Sequence, residues 1–146
     1  MSSFESELAS SLALDVRMAV RKIKRRLREH GDRSDLTPSQ VSVVLRLEEL
    51  GSATVSSLAR AEGMRPQSMS AVIAPLQDAG LVTGAADPND GRQTLMSLTP
   101  KCAEWLAEGR AARQDWLTKR IAQRLTIHEQ EKLQAALELL VRLVED

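Results

Sequence analysis

A chain of 146 residues, 42% hydrophobic and 27% charged, has the size and balance of one globular domain with a sizeable core. Its twenty basic and twenty acidic residues leave no bulk positive charge of the kind that announces a polyanion binder, and no apolar run approaches the length that spans a bilayer. An aromatic content of 2% with no Tyr, beside many Ala, Leu, Arg and Glu residues, favours helices over a β-sandwich. The first residues carry Glu5, Glu7 and Asp15 with no basic stretch ahead of an apolar one, so the chain is read as cytoplasmic.

Leu8, Leu12, Val16, Val20, Ile23 and Leu27 recur at three- and four-residue steps, the stripe of a long first helix, which Gly31 and the polar run to Asp35 end. Between Arg17 and Arg33 eight basic residues stand against Glu29 and Asp32. The ordinary reading of that run is a solvated helix face, with DNA contact as the alternative. Thr37, Pro38 and Gln40 form a capping pattern for a second helix, with Val41, Val44, Leu45 and Leu47 as its core face and Gly51 as its stop.

A short helix from Thr54 (Val55, Leu58, Ala59) reaches Gly63, and another begins at Pro66, packing Met69, Val72, Ile73 and Leu76 inward until Gly80. Leu81 to Ala85 and Gln93 to Leu98 are strand candidates around the turn formers Asp87, Pro88, Asn89, Asp90 and Gly91, which reads as a β-hairpin with a mobile tip. Thr99 and Pro100 then cap a long helix with Trp105, Leu106, Trp116, Leu117 and Ile121, and Thr126 with Glu129 opens a last helix burying Leu133, Leu137, Leu140 and Val144. The terminal helices carry more apolar surface than a small central unit can cover, so a two-fold dimer is expected.

Ala59, Gly63 and Ile73 have the spacing of a helix-turn-helix: a small residue where two helices touch, a glycine for the turn, and an apolar residue locking the second helix. The hairpin that follows makes this the winged variant. In that order of elements, in Gly80-Leu81-Val82, and above all in Asp87-Pro88-Asn89-Asp90-Gly91-Arg92 with Leu98-Thr99, the chain resembles the multiple antibiotic resistance regulator (MarR) family of bacterial transcription factors. The match covers nearly the whole chain.

The resemblance implies a mainly α fold of one domain: a winged helix-turn-helix over residues 36–99, with a small β-hairpin wing, and dimerisation helices over residues 1–35 and 100–146. It implies a ligand-responsive homodimeric repressor that binds a pseudo-palindromic site in double-stranded DNA. Its effector pocket, for a small aromatic or lipophilic molecule, would be lined by Trp105, Val44 and Leu47, with Trp116 as another candidate wall. Gln67, Ser68 and Ser70 at the start of the recognition helix can reach base edges or phosphates, Arg65 just before it a phosphate, and Arg92 in the wing a minor groove or phosphate, with Asn89 at the wing tip. Arg92 paired with Asp87 or Asp90 is the structural alternative.

Three residues depart from the family pattern: Ala71 and Pro75 where members often carry basic residues, and Asn89 where many carry arginine. Pro75 should also kink the recognition helix or end it early. From Leu58 to Leu98, Arg60, Arg65 and Arg92 face Glu62, Asp78, Asp87 and Asp90, a poor electrostatic match for phosphate. A dimeric protein-interaction module with weakened DNA binding is therefore the second reading. Cys102, the only cysteine, is expected to be a packed small residue, and with His30 and His128 far apart in sequence no metal site is expected. No cofactor is expected, and with neither a phosphate loop nor a nucleophile elbow nor a His-centred acid/base cluster, an enzyme using the interdomain cleft is the weakest reading.

Overall fold

The computed structural model describes residues 2–31 and 36–146; the expected polar stop at Asp32, Arg33 and Asp35 lies outside the described residues. The elements run α1 (Ser3–Arg28), α2 (Pro38–Leu50), β1 (Ala53–Thr54), α3 (Val55–Ala61), α4 (Pro66–Asp78), β2 (Val82–Ala86), β3 (Thr94–Leu98), α5 (Pro100–Arg124) and α6 (Ile127–Arg142). Among the described residues no helix is long and apolar enough to cross a membrane.

Helix starts follow from local chemistry. The Thr37 hydroxyl accepts the Gln40 N–H at 3.2 Å and the Gln40 side chain accepts the Thr37 N–H at 2.9 Å, so two of the donors a helix leaves unpaired are satisfied. Thr126 and Glu129 repeat the arrangement at α6, as do Ser2 and Glu5 at α1, a start that the apolar periodicity alone does not mark. Thr54 caps α3 by accepting the Ser57 N–H at 3.0 Å.

The chain forms two compact units, Asp32–Gly109 and the combination of Met1–Gly31 with Arg110–Asp146. The first is the reading head. Its sheet has the order β1-β3-β2, antiparallel throughout, with Ala53 opposite Met96 and Gly84 also opposite Met96 from the other side. β1, two residues long, carries no legible sequence pattern and is additional to the two strands expected. A side chain at Gly84 would put its Cβ 2.8 Å from the Thr94 methyl and 3.2 Å from the Met96 sulfur, so the hairpin closes this tightly only around glycine.

The core of the head joins Val43, Val44 and Leu47 of α2, Leu58 and Ala59 of α3, Met69, Ile73 and Leu76 of α4, Val82 and Met96 of the hairpin, and Cys102 and Leu106 of α5. Two expectations are corrected here. On α2 the buried face is Val43, Val44 and Leu47, whereas Leu45 is 38% exposed and Val41 only half-buried. The phase of this helix is set by Ser42 and Arg46, one turn apart, which both bond Glu62. α4 does not end early at Pro75 but runs three residues further, to Asp78. The carbonyl that Pro75 leaves without its usual donor is that of exposed Ala71, where water can replace the amide.

In the second unit neither α1 nor α6 buries a residue. Leu137, expected inside, is 48% exposed, and Val144, 82% exposed, lies beyond the end of α6; Leu133 and Leu140 are half-buried. Trp116, for which packing and a pocket wall are both open in the sequence, is stacked: the His30 ring lies 4.7 Å from it, inclined at 19°, and the Arg26 guanidinium 5.5 Å from its centroid.

Candidate nucleic-acid interface

The helix-turn-helix is α3 and α4 joined at Gly63, whose φ of 65° is the left-handed conformation that glycine adopts without strain. The turn is held by the Met64 N–H donating to the Ala59 carbonyl at 2.8 Å, and Ala59 itself is 1% exposed, so the small residue lies where the backbones approach. Glu62 closes the opposite side. Its carboxylate accepts the Ser42 hydroxyl at 2.6 Å and the Arg46 guanidinium at 3.2 Å, fastening α3 to α2. The Ser42 hydrogen bond holds the Glu62 carboxyl below its usual value, with Arg46 acting in the same sense and burial against it.

Arg65 occupies the N-cap position of α4 in an extended conformation and supplies no side-chain cap, and Pro66 follows as the first helical residue. The amides of Gln67 and Ser68 thus stay uncapped at the positive end of the helix dipole, the arrangement that favours phosphate. Met69, Ile73 and Leu76 turn inward. Gln67, Ser70, Ala71, Ala74 and Asp78 therefore form the outward row, all exposed, with Ser68 exposed at its flank. Apart from Asp78 at the far end, whose charge does not suit phosphate, the polar side chains of this row are confined to the first turn and a half. Beyond them Ala71 and Ala74, the latter not singled out from sequence, offer only methyl groups, which suit a thymine methyl rather than a hydrogen-bonding base edge.

The wing turn is closed by hydrogen bonds. The Asp87 carboxylate accepts the Asn89 N–H at 2.9 Å, the Asp90 carboxylate accepts the Arg92 N–H at 3.1 Å, and the Asp87 N–H donates to the Gln93 carbonyl at 3.0 Å. Both aspartates thus serve the backbone, a pattern typical of Asx turns. The Arg92 guanidinium is exposed and joins no ion pair among the described residues, so the suggested pairing with Asp87 or Asp90 is not formed. Asn89 is exposed at the tip. At the wing's base the Thr99 hydroxyl donates to the Gly80 carbonyl at 2.6 Å and accepts the Cys102 N–H at 3.2 Å, tying the end of α4, the hairpin and the start of α5 together.

Of the acids in the stretch from Leu58 to Leu98, only Glu62 meets a cation among the described residues, Arg46, which lies outside that stretch; Asp87 and Asp90 accept backbone N–H groups in the turn, which pairs neither with a cation. Exposed Arg60, Arg65 and Arg92 remain as the groups able to meet phosphate, and Arg60, in the last turn of α3, joins the residues expected from sequence.

Of the residues expected to line a pocket, Val44 and Leu47 are each 1% exposed and belong to the core, and Val44 borders a small space beside Trp105. Trp105 does line a cleft of about 330 Å³, with Leu36, Gln40, Pro75, Ala79, Leu81 and Lys101. The Lys101 ammonium donates to the Ala79 carbonyl at 3.1 Å, at the C-terminal end of the recognition helix. Cys102 is fully buried, and burial, with the negative Glu48 adding to it, pushes its thiol up, away from the reactive thiolate.

The family model described as "MarR family" matches residues 36–94. An uncharacterised HTH-type transcriptional regulator of Mycobacterium bovis is 40% identical over 135 residues, covering 92% of this chain and 94% of that protein. Among solved structures, a candidate transcriptional regulator from Pseudomonas aeruginosa is 32% identical with a TM-score of 0.74, over 97% of both chains. A Staphylococcus aureus MepR mutant solved bound to an oligodeoxyribonucleotide is 18% identical with a TM-score of 0.72, over 92% of this chain and 98% of that one, a likeness of fold.

Proposed function

The chain belongs to the MarR family of DNA-binding transcriptional regulators, and on that premise we propose that it is a cytoplasmic homodimeric repressor released from its operator by a small effector. The dimer rests on one observation: Leu8, Leu12, Ile23, Leu137, Leu139 and Val141 are each between 48% and 58% exposed on helices that bury nothing within the chain. Apolar surface of this extent is ordinarily covered, and a second copy covers it with the same patch. A two-fold pair of heads calls for a pseudo-palindromic site with its halves about one helical turn apart or a multiple of it. In each half Gln67, Ser68 and Ser70 would address base edges, while Arg60, Arg65 and Arg92 hold phosphate or the minor groove and Asn89 sits beside them at the wing tip.

The effector reading rests on the cleft at Trp105. Its apolar walls and the single ammonium of Lys101 suit a small aromatic or lipophilic molecule, and because Pro75 and Ala79 belong to the recognition helix and its C-cap, an occupant there bears on the element that reads DNA. The second reading, an interaction module, is favoured by the methyl-faced row of Ala71 and Ala74. Binding to the DNA upstream of the protein's own gene, titrated with salt and set against random duplex, separates the two. A repressor prefers its own upstream DNA at every salt concentration, whereas equal affinity for both would leave only the interaction module.

A further inference from the structure

We propose that the second half of α1 is an additional DNA-backbone contact, adding phosphate contacts to those of the head. Between Asp15 and Glu29 the helix carries Arg17, Arg21, Lys22, Lys24, Arg25, Arg26 and Arg28 and no acid. At about 100° per residue, Arg17, Arg21, Lys24, Arg25 and Arg28 fall within an arc of about 100° and extend for about 16 Å along the axis. Val16, Val20, Ile23 and Leu27 lie on a separate arc. Covering the apolar stripe therefore leaves the cationic one facing outward.

The solvated-face reading fits this arc poorly. Solvated helix faces commonly mix signs at three- and four-residue steps, as Asp115 and Lys119 of α5 do at 3.0 Å. On α1 the ion pair among the described residues is Arg26 with Glu29, at 3.3 Å, on the far side of the helix near Trp116. The five residues of the arc are exposed and none has an acidic partner among the described residues. Arg17 and Arg21, Arg21 and Arg25, and Lys24 and Arg28 are like charges one turn apart, which repel. A row of phosphates converts that repulsion into attraction. The head, with Arg60, Arg65 and Arg92 beside Asp78, Asp87 and Asp90, lacks the charge that the arc holds.

The test uses the full chain with Arg17→Gln, Arg21→Gln and Lys24→Gln together, beside Arg92→Ala, on the DNA fragment upstream of the protein's own gene and on random duplex of equal length. Helicity and sedimentation are checked first. The triple variant should lower the slope of log affinity against log salt by about 0.9 for each phosphate no longer neutralised and weaken binding to both duplexes by the same factor. A set with Arg17→Lys and Arg21→Lys should keep the wild-type slope, since a phosphate needs only the charge, and it covers the case in which the glutamines disturb the helix. An unchanged slope and affinity in the triple variant, with Arg92→Ala weakened, would overturn the α1 contact and leave the head assignment standing. Unchanged binding in both variants would remove both. Loss of binding to vesicles of anionic lipid with DNA affinity intact would give the stripe to a membrane surface instead.

Discussion

The head, Asp32–Gly109, and the unit of Met1–Gly31 with Arg110–Asp146 use apolar residues in opposite ways. In the head, leucines at helical spacing close on one another: Leu47, Leu58 and Leu76 are exposed by 1% or less. In the terminal helices, leucines at the same spacing remain in water: Leu8, Leu12 and Leu139 are half exposed or more. Periodicity states that a helix has an apolar face and not what that face meets. The difference teaches that the head closes its apolar surface within the chain, while the terminal helices leave much of theirs exposed there.

The largest effect expected from that contrast is in the core. Leu58→Ala should cost about 2–5 kcal/mol, the usual toll of a buried leucine, and Leu139→Ala less than about 0.5 kcal/mol in a chain held monomeric by dilution, as for exposed positions generally. Urea unfolding of both variants at low concentration checks this, and equal losses would erase the distinction. Next, Leu137→Asp with Val141→Asp should raise the dimer dissociation constant by about a hundredfold or more, since two charges would be placed in an apolar contact at about 1.4 kcal/mol per tenfold. Sedimentation should show the shift while the head's hairpin and core remain folded.

Arg92→Ala should leave both units and their stability intact and lower DNA affinity by about 1–2 kcal/mol, with the salt slope falling by about one per protomer. Unaltered affinity would count against the wing. The smallest effect concerns pH. Because the Glu62 carboxyl is held below its ordinary value of 4.5, the stability it contributes is fully present above that value and is lost as pH falls through the lower folded one. With its side chain 20% exposed and that of Arg46 37% exposed, the loss should stay near or below about 1 kcal/mol. Glu62→Gln should flatten the acid limb of the stability curve, which thermal melts between about pH 3 and 7 would reveal.

Much of this architecture is legible because local chemistry states it directly. Thr37 with Gln40, and Thr126 with Glu129, mark helix starts, Gly63 marks the turn, and the Asp-Pro-Asn-Asp-Gly run marks the hairpin. The remainder is illegible for identifiable physical reasons. β1 is two residues paired only across the sheet with Leu95 and Met96, too short for a pattern. On α2, apolar residues at 41, 43, 44, 45 and 47 fit more than one phase, and the deciding contact, Ser42 and Arg46 on Glu62, is distant in sequence. Gln40 as a wall of the cleft is not legible for the same reason, since the phase of α2 decides which of its residues border it. The exposure of Arg65, Gln67, Ser68, Ser70 and Arg92 is legible because cap, helix phase and turn chemistry define it. Arg60 does not stand out as a phosphate candidate because α3 is too short to show its outer face.

The most direct test is the oligomeric state of the intact chain. Sedimentation equilibrium from nanomolar to micromolar concentration should give a two-fold species that dissociates on dilution with loss of α1 and α6 helicity, the head persisting. A monomer at every concentration, with all of its helices retained, would contradict the claim that the terminal helices are completed by a second copy.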